Sequence, residues 1–206
     1  MIELAVAIGP LAILLFASEA LWRAKLLRGE AARKMLHIII GSYVASWPYF
    51  ISFRQIQLIA LAMLIGVAIS HKFGIFHAIN DVKRKTWGDL LYAAGVGFTA
   101  LLTSTPWVFA LAILHMSVAD GLAGLAGSCY GKKSEYKVFG NKKSAVGSLV
   151  FIMSSLLLLV IFADGHPNIS PAVLLILPPV LAAVENLGIR GTDNIFIPVL
   201  LTLFFR

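Results

Sequence analysis

Apolar runs long enough to enter a bilayer recur along nearly the whole chain, and they leave little room for any other kind of fold. Candidate spans cover residues 2–22, 35–50, 55–70, 88–104, 107–128, 146–163, 171–187 and 194–205. A helix rises 1.5 Å per residue, so about 20 residues cross a hydrocarbon core of ~30 Å. Several of these runs are shorter than that. The last rises only about 18 Å and reads as half-buried or re-entrant. With 206 residues, 59% hydrophobic and 13% charged, the chain is too short for a soluble domain beside these spans. We read one integral membrane domain over residues 1–206: an all-α, polytopic helical bundle of seven to eight spans.

The charges orient it. Loops 23–34, 71–87, 129–145 and 188–193 carry 15 of the 17 lysines and arginines, with Arg54 and Arg206 as the exceptions. The intervening loops are almost free of them. Basic loops stay on the cytoplasmic side, which predicts both termini outside, a plasma (inner) membrane location and a cytoplasmic face built from the basic loops. The first run has no basic group before it and several after it, the reverse of a secretory signal, so it reads as a retained span. The segment around Phe73, Ile75, Phe76 and Ile79 is either an interfacial amphipathic stretch or a solvated connector. The single cysteine, Cys129, excludes an intrachain disulfide and a cysteine-rich metal site. No nucleic-acid partner is expected.

One residue breaks the apolar pattern. Asp120 lies inside the fifth span, where a carboxylate costs roughly 2.5–3.5 kcal/mol on insertion scales and marks a functional site by default. Its neighbours are small: Ala119, Gly121, Ala123, Gly124 and Gly127. Ala119, Ala123, Gly127 and Gly131 recur every four residues, a stripe that ordinary helix packing in membranes also produces. Gly127, Gly131, Lys132 and Lys133 look like a phosphate-binding loop but lack its spacing and its Ser or Thr after the lysine, which excludes a P-loop nucleotidase.

Basic and acidic groups gather at the same side. Lys142, Lys143 and Ser144 precede a new helix, with Ser144 as N-cap and Gly147 and Ser148 in its first turn. A helix N-terminus suits phosphate, while lysines in such a loop can equally serve topology and anionic lipid head groups. Lys34, His37 and Gly41 share one helix face; a histidine there is a general base, a phosphate contact, a metal ligand or a structural group. The predicted topology puts Lys34, His37, Arg84, Lys85, Asp89, Asp120, Lys132, Lys143, Glu185 and Asp193 near one face. Acids and bases gathered this way suit a Mg²⁺–nucleotide, because Mg²⁺ takes one or two carboxylates plus phosphate oxygens and water.

Five segments, RKMLHIIIG (33–41), KRKTWGD (83–89), ADGLAGLAGSCYGKK (119–133), KKSAVGS (142–148) and ENLGIRGTDNIFIP (185–198), resemble in order the motifs of the dolichol kinase/phytol kinase family. These are membrane-bound, CTP-dependent lipid kinases, distantly similar to phosphatidate cytidylyltransferases. The resemblance covers most of the chain from Arg33 to Pro198. It implies transfer of the CTP γ-phosphoryl group to a lipid alcohol such as phytol, a polyprenol or diacylglycerol. It implies Asp120 as a Mg²⁺ ligand and catalytic residue, with Lys34 and His37 beside it. Arg33, Lys85, Gly127, Gly131, Lys132, Lys143, Ser144, Gly147 and Ser148 are the implied nucleotide contacts. Val146 stands where the family often has an acid, so Glu185 and Asp193 are the candidates for the remaining metal ligands. A cytidylyltransferase and a non-enzymatic transporter or lipid-binding protein are the alternatives. A transporter's ionisable groups tend to sit at the midplane rather than at one face.

Overall fold

The computed structural model describes residues 2–26, 28–75, 77, 87–164, 166 and 169–206. Among these the chain is nearly all helix. Helix α1 is Ile2–Arg23, α2 Gly29–Ala45, α3 Phe53–Phe73 and α4 Gly88–Leu102. Helix α5, Pro106–Leu114, runs through a π-helical turn at His115–Ala119 directly into α6, Asp120–Tyr130. A short hairpin follows, β1 Glu135–Val138 and β2 Asn141–Ser144. Helices α7 Ala145–Ala163, α8 Pro171–Leu187 and α9 Asp193–Phe205 complete the chain.

Each predicted span is a helix. Four are long and apolar enough to cross a membrane: α1, α3, the continuous 29-residue Pro106–Ser134 rod, and α7. Helices α4, α8 and α9 are apolar but shorter. The second span is displaced, starting at Gly29 rather than 35. It ends at Ala45, because Pro48 donates no backbone hydrogen bond and sits in a separate 3₁₀ turn at Trp47–Tyr49. The charged segment Glu30–Lys34, predicted as loop, therefore lies in the first turns of α2, where Arg33 pairs with Glu30 on the same helix and Lys34 reaches Asp120 on another. Helix α3 begins with a reciprocal cap in which Ser52 Oγ accepts from the Gln55 backbone N–H and Gln55 Oε1 accepts from the Ser52 N–H.

The α5–α6 rod is the centre of the bundle. Most of it is buried, whereas α1, α3 and α7 turn most of their surface outward. Small residues such as Ala110, Ala112, Ala119 and Ala123 let neighbouring helices approach it closely. Two apolar clusters flank the rod. One is drawn from α1 to α4 around Trp47, Ile56 and Val96, the other from α7 to α9 around Phe151, Leu181 and Ile197. Large apolar side chains on the outward faces, including Ile13, Ile65 and Leu157, suit contact with lipid tails.

Loop 129–145, predicted without regular structure, forms a 3₁₀ turn and the hairpin. Val138 pairs with Asn141, leaving Phe139 and Gly140 as a two-residue turn with φ of 46° and 80°. Positive φ at both central residues matches the twist of a hairpin. The alternation of the strand turns Lys143 inward and Lys142 outward. Phe76 and Ile79 of the predicted amphipathic stretch lie outside the described residues.

Candidate active site

Asp120 is the first residue of α6, immediately after the π-helical turn, a local widening that often accompanies functional sites. It is buried, and so is Lys34 from α2. Lys34 Nζ lies 2.5 Å from Asp120 Oδ2. The lysine reaches it by lying across Gly124, where a Cβ would stand 2.7 Å from Lys34 Cε. One α-helical turn along from Lys34, His37 donates from Nε2 to the carbonyl of Met116 in the π turn, at 3.1 Å, and stands 3.9 Å from Asp120 Oδ2. A carbonyl only accepts, so this bond assigns the proton to Nε2 and leaves Nδ1 as the acceptor of the neutral ring. Tyr92 from α4 packs its ring edge-on against His37, with centroids 4.3 Å apart.

Two further carboxylates arrive from the α8–α9 connection. Glu185 lies in the last turn of α8 and Asp193 begins α9. Between them Gly188 lets the chain double back, since a Cβ there would meet Asp193 Cβ at 2.8 Å and the Glu185 carbonyl at 3.0 Å. Asp120, Glu185 and Asp193 thereby bring one oxygen each within 4.8 Å of one another. The hairpin adds Lys143, whose Nζ is 2.5 Å from Glu185 Oε1 and 2.8 Å from the Glu185 carbonyl. Three acids so close repel strongly in a partly buried setting, and Lys34 and Lys143 offset two of them. An all-oxygen donor set with this spacing suits a hard divalent cation, so the residues present fit Mg²⁺.

These groups line a cavity of about 770 Å³ together with Arg33, Ser148, Arg190 and Asn194. Asn194 donates from Nδ2 to the Gly88 carbonyl at 2.7 Å, while its buried Oδ1 has no hydrogen-bond partner among the described residues. Ser148 is bound into a small network with Tyr136 of the hairpin and Asn186 of α8. Gly127, Gly147 and Ser144 are also on the wall, and their local roles are structural as well. Ser144 Oγ accepts from the Gly147 N–H at 3.1 Å as the N-cap of α7. A Cβ on Gly127 or Gly131 would fall 3.0 or 2.4 Å from that hydroxyl. The glycines are thus sites of close helix approach. Gly131 is not on the cavity wall, and Lys132 is exposed on the 3₁₀ turn away from it. Lys85 and Arg84 lie outside the described residues. Asp89 joins His71 instead, at 2.5 Å.

A second cavity, of about 1030 Å³ and lined mostly by aliphatic side chains of α1 to α4, adjoins the first. Arg33, His37 and Arg190 are on the walls of both. Arg190 is the residue sequence reasoning missed. Its φ of +54°, beside Gly191 at +97°, turns the α8–α9 connection back toward α4, where its carbonyl accepts from the Trp87 N–H. The Gly188–Gly191 pair bracketing it was the available signal.

No family model matches the chain, and no solved structure matches it. A curated relative, the phytol kinase of Synechocystis sp., is 31% identical over 190 residues, an overlap covering 88% of this chain and 81% of the relative. Identity at that level, across most of both chains, is too extensive for a shared span pattern alone to explain, and the chain belongs to the phytol kinase family, membrane phosphotransferases with an alcohol as acceptor.

Proposed function

We propose that this protein transfers the γ-phosphoryl group of CTP to a lipid alcohol, in the class of phytol and related isoprenoids, with Mg²⁺ held by Asp120, Glu185 and Asp193. The observation that carries this reading is the meeting of three carboxylates from three helices on the wall of a polar cavity that adjoins an apolar one. The phytol kinase name of the relative supports the acceptor class. By the basic-loop rule, the site faces the cytoplasm of an inner membrane crossed by seven or eight helices, with the N-terminus outside.

Phosphoryl transfer requires chiefly positioning and charge neutralisation. When bound, Mg²⁺ neutralises phosphate charge beside the three acids. Lys143 and Arg33 supply positive charge on the cavity wall, and Lys34 holds the Asp120 carboxylate in place. The lipid oxygen bonds to the γ-phosphorus as that phosphorus parts from the β–γ bridging oxygen, and CDP leaves. The hydroxyl proton passes to His37 Nδ1, the ring nitrogen that the Met116 bond leaves without a proton. Purified protein in detergent, given a panel of long-chain alcohols with each γ-labelled nucleoside triphosphate, should label the alcohol best from CTP. In a parallel reaction with α-labelled CTP and a lipid phosphate, transfer of the α-label to the lipid would instead identify a cytidylyltransferase. No lipid phosphate from any nucleotide would overturn the proposal.

A further inference from the structure

We propose that the apolar cavity between α1, α2, α3 and α4 holds the hydrocarbon chain of the acceptor, with the hydroxyl delivered between Arg33 and His37. The identity of the occupant rests on the kinase reading above; its location rests on the following geometry.

The cavity lies between two pairs of helices. Helix α1 packs on α2 and α3 packs on α4, and the space between these pairs is walled by residues such as Leu11, Ile40, Ile59 and Met63. Its volume of about 1030 Å³ is at the upper end of the ~300–1,000 Å³ of small-molecule sites. Along α3 it runs from Gln55 to His71, a difference of 16 residues and roughly 24 Å of helix. That is a long, narrow apolar shape.

Its polarity is concentrated at one end. Gln55, at the far end, is engaged in the α3 cap with Ser52. The other end carries Arg33, His37, His71, Asp89 and Arg190. Three of these, Arg33, His37 and Arg190, also wall the carboxylate cavity. A chain that enters between α1 and α3 and lies along this space therefore ends with its head group against the carboxylate cavity. Such a placement suits a molecule with one small polar head and one long tail, and it puts a hydroxyl beside the ring that would take its proton.

Gly66 of α3 lines the cavity, and a Cβ built there meets no atom within 4 Å. The first carbon of a side chain at this position thus meets no protein atom, so a larger residue here tests occupancy of the cavity it lines. Ala62, one turn away and also on the wall, offers a second such position.

The test is photolabelling of purified protein in detergent with a long-chain isoprenoid alcohol bearing a diazirine in its tail, followed by mapping of modified peptides. Adducts are expected on the α1 and α3 segments that wall the cavity. Excess unlabelled alcohol should remove them and excess phospholipid should not. Gly66→Phe should lower their yield by about tenfold or more, with Ala62→Phe as the check where Gly66→Phe is not monodisperse. Adducts confined to the outer faces of α7 and α8 would overturn the proposal. So would adducts displaced equally by phospholipid, or adducts that neither variant affects. Labelling requires no nucleotide and no turnover. Cavity adducts on a protein that phosphorylates nothing would therefore sink the kinase reading alone, and an active kinase labelled elsewhere would sink this placement alone.

Discussion

Lys34 and Asp120, 86 residues apart in sequence, meet at 2.5 Å in the interior of the bundle. Removing one partner of a buried ion pair leaves the other charge uncompensated and costs about 3–5 kcal/mol, more than the pair itself contributes. Lys34→Met should therefore lower the Tm of the detergent-solubilised protein clearly in the absence of divalent cations. Lys34→Met combined with Asp120→Asn should recover much of that loss, since both charges are then gone. Both proteins should be inactive. A Lys34→Met Tm equal to wild type would show that the pair is not buried as described.

Two glycines test packing against positioning. At Gly95 of α4 a Cβ would sit 2.1 Å from the Asn194 carbonyl of α9, and a backbone atom cannot yield without separating the helices. Gly95→Ala should destabilise by about 1–3 kcal/mol, the usual cost of overpacking. At Gly124 the obstructing atom is the Lys34 side chain, which is flexible. Gly124→Ala should push the ammonium partly aside from Asp120, so that kcat falls while the Tm loss stays smaller than that of Gly95→Ala, because the lysine side chain can give way and still face the carboxylate. Thermal unfolding and steady-state rates on the two variants separate these outcomes, and equal Tm losses would contradict the distinction.

The helices were legible because bilayer insertion demands long apolar runs, and the runs appear directly in the sequence. The contacts that shape the site were less so. Glu185 and Asp193 could be placed on Asp120's side by counting spans, but not within reach of it, because that depends on the chain reversal at Gly188. Gly124 and Gly127 look alike in sequence, yet one passes a lysine and the other borders a helix cap. The hairpin was hard to see because the polar–apolar alternation of EYKV covers only four residues, the second strand NKKS has no apolar residue, and the turn depends on Phe139 adopting a positive φ that propensity disfavours. The proximity of an apolar cavity to the acidic one was not legible at all, being a property of how four helices splay.

The three-acid cluster makes a prediction independent of turnover. A ligand that binds only the folded protein stabilises it, by about 2.7 kcal/mol when present at ~100 times its Kd. Mg²⁺ should raise the Tm of the wild-type protein in detergent. Asp120→Asn and Asp193→Asn should each remove most of that increment, as should Glu185→Gln, which also withdraws the partner of Lys143. An increment that survives all three substitutions would place the cation elsewhere.

His37 is the most informative position for the chemistry. Its Nε2–H is committed to the Met116 carbonyl, so any proton it takes from an incoming hydroxyl must arrive at Nδ1. Glutamine can present an amide N–H to that carbonyl but offers no basic nitrogen. His37→Gln should therefore fold with near-native Tm and retain the nucleotide KM, while kcat falls by about 10²–10⁴, the usual contribution of a general base. A His37→Gln enzyme with kcat within a few fold of wild type would remove the histidine from proton transfer and leave it a packing group between Tyr92 and the π-helical turn.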